Sequence, residues 1–503
     1  MRVKATLHRE FNIAEIDDRI YSAFIEHMGR AIYTGIYEPD HATADEDGFR
    51  GDVLGLVRDL RIPAIRYPGG NFVSAYNWED GVGPKEDRPV RLDLAWRSKE
   101  TNQVGINEFA RWAKKADIEM ILAVNLGSRD LNAARAFAEY CNHPSGTHWS
   151  DLRRSHGVED PYGVRMWCLG NEMDGPWQIG AKTATEYGRL ADETAKALKP
   201  FGPDIETVVC GSSHDAMPTY PDWERQVLEE CYENVDYISL HKYFGNSSRD
   251  TLNYFAKVEE TGRYIQTVAG VIDFVKAKKR SKHDVHICFD EWNVWYHRRE
   301  EDRRNWRTWD WPEAPALLEE DYNLEDALFV ACLINEFIRR SDRVKIACIA
   351  QLVNVIAPIR AEKGGPAWRQ TIYHPFRFAS LYGRGTALDV RVDAPTYDCE
   401  VGHDVSYLDV AAVHDAIGGT VTVFIVNRHL EETAELDMAL EGFDACRLIA
   451  HETMGGGDLR ETNSADAPDR VAPRAGEKVS VEDGRLVGAL PPLSYHVLRL
   501  DCA

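Results

Sequence analysis

The chain has 503 residues, 44% of them hydrophobic and 28% charged, which is typical of a globular protein large enough for more than one domain. Its net charge of −23 argues against a nucleic-acid partner and an anionic membrane surface, because both attract basic proteins. The first ten residues lack the apolar core of a secretory signal, and the apolar stretch 346–359 is too short to span a bilayer. We therefore expect a cytoplasmic protein with no membrane partner.

Ten cysteines are scattered along the chain without a C-x-x-C pair, and several stand inside apolar runs. This pattern predicts reduced, buried thiols rather than a disulfide framework.

Short apolar runs alternate with segments of helical periodicity from about residue 16 to residue 375. The predicted strands cover 20–26, 64–67, 120–125, 165–169, 206–212, 235–241, 285–291 and 345–351. The predicted helices cover 52–60, 103–116, 130–140, 183–198, 223–232, 250–279 and 324–340. Eight strands with helices between them predict an α/β fold of the (β/α)₈ TIM-barrel type over residues 16–375.

The C-terminal part has a different pattern. From about residue 376, short β-rich runs such as 407–413 and 420–426 are separated by glycine pairs and polar segments. This predicts an antiparallel β-sandwich of the jelly-roll kind. The alternating N-terminal strand precedes the first barrel strand, so we expect the sandwich domain to contain residues 1–15 as well as 376–503.

Two glutamates follow predicted strands of the same kind. Glu172 comes after the apolar run 165–169 and a glycine, and Glu291 ends the run 285–291. About three strand–helix units separate them, so both should lie at the carboxyl end of the barrel, where such folds carry their active sites. A single glutamate is more often a cap or an ion-pair partner. Two at matching strand ends indicate the acid and the nucleophile that cleave a glycosidic bond.

Other polar residues stand at or just beyond strand ends, and a sugar requires such a ring of hydrogen-bonding groups. They are Glu26, Arg66, Asn71, Asn171, Tyr243 and Gln351. Arg66 could keep a nucleophilic carboxylate ionised, and a structural ion pair in the barrel mouth is compatible with that role. For Tyr243 and Gln351, satisfied core polarity is the alternative.

Aromatic residues are dense at 292–311, with others in earlier loops. Sugar rings stack on aromatic faces, and we expect Trp96 and Trp295 to contact the substrate, although at least half of the loop tryptophans should serve packing. His241, His283 and His286 lack further ligands at suitable spacing, so no metal site is expected. The sequence has no G-x-S-x-G, Walker A or G-x-G-x-x-G motif, which excludes the enzyme classes that these define.

Several segments resemble the family 51 α-L-arabinofuranosidases. They are 24–39, Arg66-Tyr-Pro-Gly-Gly-Asn71, Gly170-Asn-Glu172-Met-Asp-Gly-Pro-Trp-Gln178, Ser239-Leu-His-Lys-Tyr243, Asp290-Glu291-Trp-Asn-Val-Trp295 and 491–500. The segments occur in the family's order along essentially the whole chain.

The resemblance implies a barrel with the acid/base Glu172 after the fourth strand and the nucleophile Glu291 after the seventh. It also implies a set of residues that hold the arabinofuranose ring, namely Glu26, Asn71, Asn171, Tyr243 and Gln351. Members of the family release terminal α-L-arabinofuranosyl groups from arabinan, arabinoxylan or their oligosaccharides, with retention and without a cofactor. They are commonly intracellular hexamers, so a homo-oligomer, specifically a hexamer, is expected.

Three other functions stay open at this point. Related two-glutamate barrels act as endo-glucanases or β-xylosidases. A carbohydrate-binding protein on an inactive glycosidase scaffold would have lost one carboxylate, and both are present. A Schiff-base aldolase would use Lys242 at the end of the sixth strand.

Overall fold

The computed structural model describes residues 1–443 and 445–502, except for the side chain of Arg307. Eight parallel strands form a closed barrel in which the eighth pairs with the first. The strands are β1 (Ser22–Phe24), β2 (Ala64–Tyr67), β3 (Glu119–Val124), β4 (Met166–Leu169), β5 (Glu206–Cys210), β6 (Tyr237–Phe244), β7 (His286–Val294) and β8 (Val344–Ala350). The predicted barrel and its eight strands are confirmed.

Helices alternate with the barrel strands, and local end signals position several of them. Asp130, Thr183, Asp250 and Asn323 each cap a helix through a side-chain oxygen that accepts a backbone N–H. The α-helices are α1 (Gly51–Leu60), α2 (Ile106–Ala116), α3 (Leu131–Asn142), α4 (His148–Ser155), α5 (Ala184–Leu198), α6 (Asp222–Cys231), α7 (Thr251–Lys279), α8 (Arg299–Thr308), α9 (Leu324–Arg339) and α10 (Tyr373–Tyr382). Short 3₁₀ helices cover Asp18–Tyr21, Asn71–Ala75, Trp78–Gly81, Lys85–Asp87 and Lys199–Phe201. None of the helices in the described part of the chain is long and apolar enough to cross a membrane.

The barrel interior is filled with side chains rather than open. Phe24, Ile121, Cys168, Cys288 and Ile346 belong to one buried cluster inside it. A ligand therefore has access only at an end of the barrel, and the loops that follow the strands shape that end.

The β-rich part consists mainly of two sheets packed face to face. One sheet has the strand order Arg391–Asp393, Arg2–His8, Ala434–Glu441, Arg485–Leu490 and Val479–Glu482. The other has the order Asn12–Glu15, Thr386–Leu388, Leu408–Asp415, Thr420–Asn427, Ser494–Cys502, Cys446–Gly455 and Arg474–Ala475. Short two-stranded pairs join Arg91–Asp93 with Ser98–Glu100, Ile359–Ala361 with Ala367–Arg369, and Thr396–Tyr397 with Val405–Ser406.

The N-terminal strand lies in the first of these sheets, as the sequence predicted. It pairs in antiparallel fashion with Arg391–Asp393 but in parallel with Ala434–Glu441, so the sandwich is not antiparallel throughout. Arg2–His8 and Ala434–Glu441 are far apart in sequence and no hairpin turn joins them. A tight turn therefore does not force these two strands to pair in antiparallel fashion. The predicted boundary between residues 375 and 376 falls within α10.

The central strands Leu408–Asp415 and Thr420–Asn427 of the seven-stranded sheet are buried on both faces, which accounts for their nearly continuous apolar runs. Val410 and Ile425 face the first sheet, whereas Ala411 and Phe424 join the core that also contains the barrel helices. An ion pair adds to this contact, because Arg339 of α9 lies 3.0 Å from Asp409. The sandwich is thereby fixed directly to the barrel.

One pair of cysteines departs from the sequence prediction of reduced thiols. Cys446 and Cys502 form a disulfide, while eight other cysteines in the described residues are free and all but Cys399 are buried. The two partners are 56 residues apart in sequence but stand opposite each other in adjacent antiparallel strands, with Cα atoms 4.3 Å apart. Cysteine spacing alone could not reveal this strand register.

Asp409 provides a test of the contact between the two domains. Burial alone would raise its pKa, but Arg339 and Arg428 hold the pKa below its ordinary value, and Asn335 donates to it at 2.7 Å. We expect Asp409→Asn to lower the free energy of unfolding by about 3 kcal/mol at pH 7. Because the pKa of Asp409 is depressed in the folded state, the difference from wild type should begin to shrink as pH falls below about 3.9 and should vanish only below the lower, folded-state pKa. Denaturant unfolding at several pH values measures it. The control is Asp501→Asn, which removes a partly exposed carboxylate paired with Arg447; equal effects of both variants at pH 7 would contradict the assignment.

Candidate active site

All ten sequence-predicted site residues lie at the carboxyl end of the barrel. The loops after β1, β2, β4 and β8 and the strands β6 and β7 supply most of them. The contacts described below join them into one group. They also include three residues that the sequence analysis did not place in the site: Asp290, His241 and Trp177.

Arg66 occupies the centre of the group and is fully buried. Its guanidinium donates to Oε1 of Glu291 at 2.7 Å and to Oδ1 of Asn171 at 2.7 Å, and its Nε lies 3.0 Å from Asp290. Asn171 in turn donates to Oδ1 of Asn71 at 3.2 Å. One cation therefore orients the nucleophile candidate and the two predicted sugar-binding amides.

Asp290 and Glu291 both face the barrel interior, although consecutive strand residues normally face opposite sides. The register of β7 with β8 shifts between Phe289 and Trp292, and such irregularities reorient side chains beside active sites. The neighbouring strand β6 also shifts register, just before His241.

His241 lies between three carboxylates. Its Nδ1 is 3.0 Å from Glu172 and 3.5 Å from Glu291, and its Nε2 is 3.2 Å from Asp290. Burial opposes the charged imidazolium, but Glu291 and Asp290 hold the pKa of His241 well above its ordinary value. Its position two residues before Tyr243, on the same face of β6, was the available sequence signal.

Glu172 lies in a strained turn directly after β4. Gly170 has φ +92° and Glu172 itself has φ +44°, a left-handed conformation that a side chain rarely adopts. The indole N–H of Trp177 donates to Oε2 at 2.6 Å, and His241 is the partner of Oε1. The turn thus aims the carboxyl group at the space shared with Glu291.

The two catalytic candidates are close together. One carboxylate oxygen of Glu172, one of Glu291 and one ring nitrogen of His241 all lie within 4.8 Å of one another. Tyr243 donates to the other oxygen of Glu291 at 2.9 Å. Burial raises the pKa of Glu291, and the charges of His241 and Arg66 oppose that rise.

Glu26 lies on the far side of the site, above the glycine pair of the Arg66-to-Asn71 segment. A Cβ on Gly69 or Gly70 would come within 2.6 Å of the Glu26 side chain, so only glycine leaves room for it. Phe72 N and Trp96 Nε1 both donate to its Oε1 at 2.8 Å. Burial raises the pKa of Glu26 to about 8, with Glu291 adding to the rise.

The remaining predicted residues have specific neighbours. Gln351 accepts the backbone N–H of Glu26 at 2.9 Å and therefore positions that residue. Trp295 packs edge-on against Tyr243, with Arg299 over its ring. Lys242 pairs with Asp215 and Glu260 instead of lying among these site residues, which removes the support for an aldolase.

A second group of close acidic side chains lies elsewhere in the described structure. Asp45, Glu46 and Asp47 have carboxylate oxygens near one another, and Lys115 forms ion pairs with all three. The lysine already balances part of their charge, so this group gives no support for a metal site.

The barrel and its two facing glutamates define a glycoside hydrolase. Comparison with known proteins identifies the family of glycoside hydrolases to which it belongs. The α-L-arabinofuranosidase 1 domain matches residues 56–263, and the α-L-arabinofuranosidase C-terminal domain matches residues 290–494. The chain belongs to the α-L-arabinofuranosidases of glycoside hydrolase family 51.

Individual relatives are similar in sequence to this chain over nearly their full length. The intracellular exo-α-(1→5)-L-arabinofuranosidase 1 of Bacillus subtilis is 53% identical over 99% of both chains, and an exo-α-(1→6)-L-arabinofuranosidase of Bifidobacterium longum is 44% identical over 99% of this chain and 97% of its own. A solved family 51 α-L-arabinofuranosidase from B. longum has a TM-score of 0.94 at 40% identity, covering 99% of both chains. A glucanase–xylanase from a metagenome library, at 13% identity and TM-score 0.62 over 100% of both chains, shares the fold alone.

The pKa of Glu26 leads to a pH prediction. Below pH 8 the carboxyl group is neutral, and its Oε2 can donate a hydrogen bond to a sugar hydroxyl while Oε1 accepts from Phe72 and Trp96. We expect the KM for 4-nitrophenyl α-L-arabinofuranoside to rise above about pH 8 in the wild type. Glu26→Gln should abolish this rise because the amide keeps a donor at every pH. Glu26→Ala should reduce kcat/KM about 100-fold. A wild-type KM that stays constant from pH 7 to 9.5 contradicts the donor role.

Proposed function

We propose that the protein is a retaining exo-α-L-arabinofuranosidase that uses Glu291 as nucleophile and Glu172 as acid/base. The observation that carries the proposal is the separation of the two carboxyl groups, with oxygens no more than 4.8 Å apart. Retaining glycosidases place their carboxyl groups about 5–5.5 Å apart, whereas inverting enzymes need more room for a water molecule.

In the first step, a carboxylate oxygen of Glu291 attacks the anomeric carbon of the arabinofuranosyl group. The bond to the leaving oxygen breaks, and Glu172 transfers its proton to that oxygen. The products are the free alcohol and a sugar bound covalently to Glu291. In the second step, Glu172 takes a proton from water, which attacks the anomeric carbon and releases Glu291 with overall retention.

The surrounding charges support these roles. Arg66 and Tyr243 donate to different oxygens of Glu291, which stabilises the carboxylate that leaves in the second step. Charged His241 would balance Glu172 while it is ionised, and Asp290 holds the imidazole ring from the opposite side. Removing any one of these buried charges would leave its partners uncompensated.

We assign sugar binding to the polar groups around the nucleophile. Glu26, Asn71 and Asn171 would bond ring hydroxyls, Gln351 would position Glu26, and Trp96 and Trp295 would contact the sugar. The relatives from B. subtilis and B. longum, at 53% and 44% identity, are named as exo-acting enzymes. That supports exo action.

The natural substrates we propose are arabinan, arabinoxylan and arabino-oligosaccharides. The (1→5) linkage is favoured because relatives from B. subtilis and Halalkalibacterium halodurans, at 53% and 52% identity, are named for it. Those names also support a cytoplasmic location. We further propose a homo-oligomer, a hexamer, on the resemblance to family 51. The β-xylosidase or endo-glucanase alternative rests on the fold alone and is not favoured.

Product stereochemistry in azide tests the two glutamate roles. Glu291→Ala should lose turnover, because no covalent intermediate can form, and azide should give the arabinosyl azide of inverted configuration. Glu172→Ala should slow oligosaccharides far more than 4-nitrophenyl α-L-arabinofuranoside, and azide should give the azide of retained configuration. NMR of the products distinguishes the two.

The matched control for these variants is Glu206→Ala, which removes a glutamate at the opposite end of the barrel and should retain activity. Near-wild-type turnover by Glu291→Ala, or an equal loss on both substrates by Glu172→Ala, contradicts the corresponding role.

A further inference from the structure

Trp177 combines an exposed side chain with a contact to the acid/base candidate. It is 47% exposed, yet its indole N–H donates to Oε2 of Glu172 at 2.6 Å. Oε1 has a different kind of partner, the buried His241. The two oxygens of one carboxyl group therefore lie in unlike environments.

Gly175 makes the indole position possible. A Cβ at residue 175 would lie 2.7 Å from Cε2 and 3.0 Å from Nε1 of Trp177. The backbone itself does not require glycine, since φ of Gly175 is outside the left-handed region. Its N–H donates to the carbonyl of Glu172 at 2.9 Å and its carbonyl accepts from Gln178 at 3.0 Å, and alanine could keep both bonds. The lack of a side chain at residue 175 therefore leaves the space that the indole occupies.

The loop after β5 also contributes a neighbour of the indole. The ring of His214 stacks on Trp177 with an interplanar angle of 9° and a centroid distance of 6.1 Å. Asp174 fixes that loop by accepting the backbone N–H of Ser213 at 3.1 Å. The indole therefore has neighbours in two loop segments even though much of the ring is exposed.

We propose that Trp177 is a positioning residue that favours the ionised form of Glu172 through its indole N–H, and that Gly175 seats it for this purpose. The inference rests on the proposed acid/base role of Glu172. An N–H directed at a carboxylate stabilises the charged form. The other groups that act on Glu172 are His241, which also favours its charge, Glu291 and Asp174, which oppose it, and the hydroxyl of Tyr243.

The consequence is a balance between the two steps. Glu172 must carry a proton to assist departure of the alcohol and must be ionised to accept a proton from water. The bond from Trp177 promotes the second state. Without it, Glu172 should keep its proton to higher pH.

The test is the pH profile of Trp177→Phe, which keeps a ring but deletes the N–H. On an arabino-oligosaccharide, whose poor leaving group needs the acid, the alkaline limb of kcat should move up by about one pH unit, and kcat is free of the effect of Glu26 on KM. On 4-nitrophenyl α-L-arabinofuranoside, the acidic limb of kcat should move in the same direction where the second step limits the rate. Gly175→Ala should reproduce both shifts because it displaces the indole.

Trp96→Phe is the matched control, because it deletes the indole N–H that reaches Glu26 instead. Its activity should fall and its KM profile should move, because Trp96 donates to Glu26, but the alkaline limb of its kcat should stay at the wild-type pH. Circular dichroism and the thermal midpoint establish folding, and Gly175→Ala carries the test if Trp177→Phe does not fold. Unmoved limbs in the folded variants, with only a uniform loss of activity, overturn the inference. A wild-type protein inactive on every arabinofuranoside overturns the proposed function instead.

Discussion

Two buried cations, Arg66 and His241, keep three carboxyl groups together at the carboxyl end of the barrel. Glu172, Glu291 and Asp290 would repel one another there without them, and a buried unpaired charge is costly. Arg66 contacts Asp290 and Glu291, and His241 contacts all three. Each cation thus holds carboxyl groups in the arrangement that the proposed double displacement requires.

The rest of the fold fixes these five side chains. Closure of eight strands places the ends of β2, β4, β6 and β7 around one space, and the packed barrel interior supports them from below. Register shifts in β6 and β7 rotate His241, Asp290 and Glu291 into that space. The sandwich packs against the barrel through the shared core at α9 and the Arg339–Asp409 ion pair, away from the site residues.

Much of this arrangement was predictable from sequence, since hydrophobic periodicity is a local signal. It identified the barrel, the strand ends and the two glutamates. Three features depended on tertiary contacts and were missed. Asp290 was not singled out, because a register shift cannot be read from one strand. His241 was weighed only as a metal ligand, although its partners come from two other strands. Trp177 could not be distinguished from the other loop aromatics by sequence, because its contacts with Gly175 and Glu172 are visible only in the structure.

The two features of the sandwich that differ from the sequence prediction also depend on tertiary contacts. Cys446 and Cys502 face each other only through strand register, and the parallel pairing of Arg2–His8 with Ala434–Glu441 joins segments that are far apart in the chain. The resemblance to family 51 supplied the roles of Asn71, Asn171 and Gln351, which periodicity could not. The structure adds that Gln351 acts on Glu26 rather than standing alone.

The most direct measurement of the central claim is mass spectrometry of a trapped intermediate. Glu172→Ala, mixed with 4-nitrophenyl α-L-arabinofuranoside and quenched in acid, should accumulate one pentosyl group on the peptide that contains Glu291. If Glu291 is the nucleophile, the adduct is on that side chain and is absent from the variant that also carries Glu291→Ala. An adduct on another residue, or turnover with no adduct and with inversion at the anomeric carbon, would contradict it.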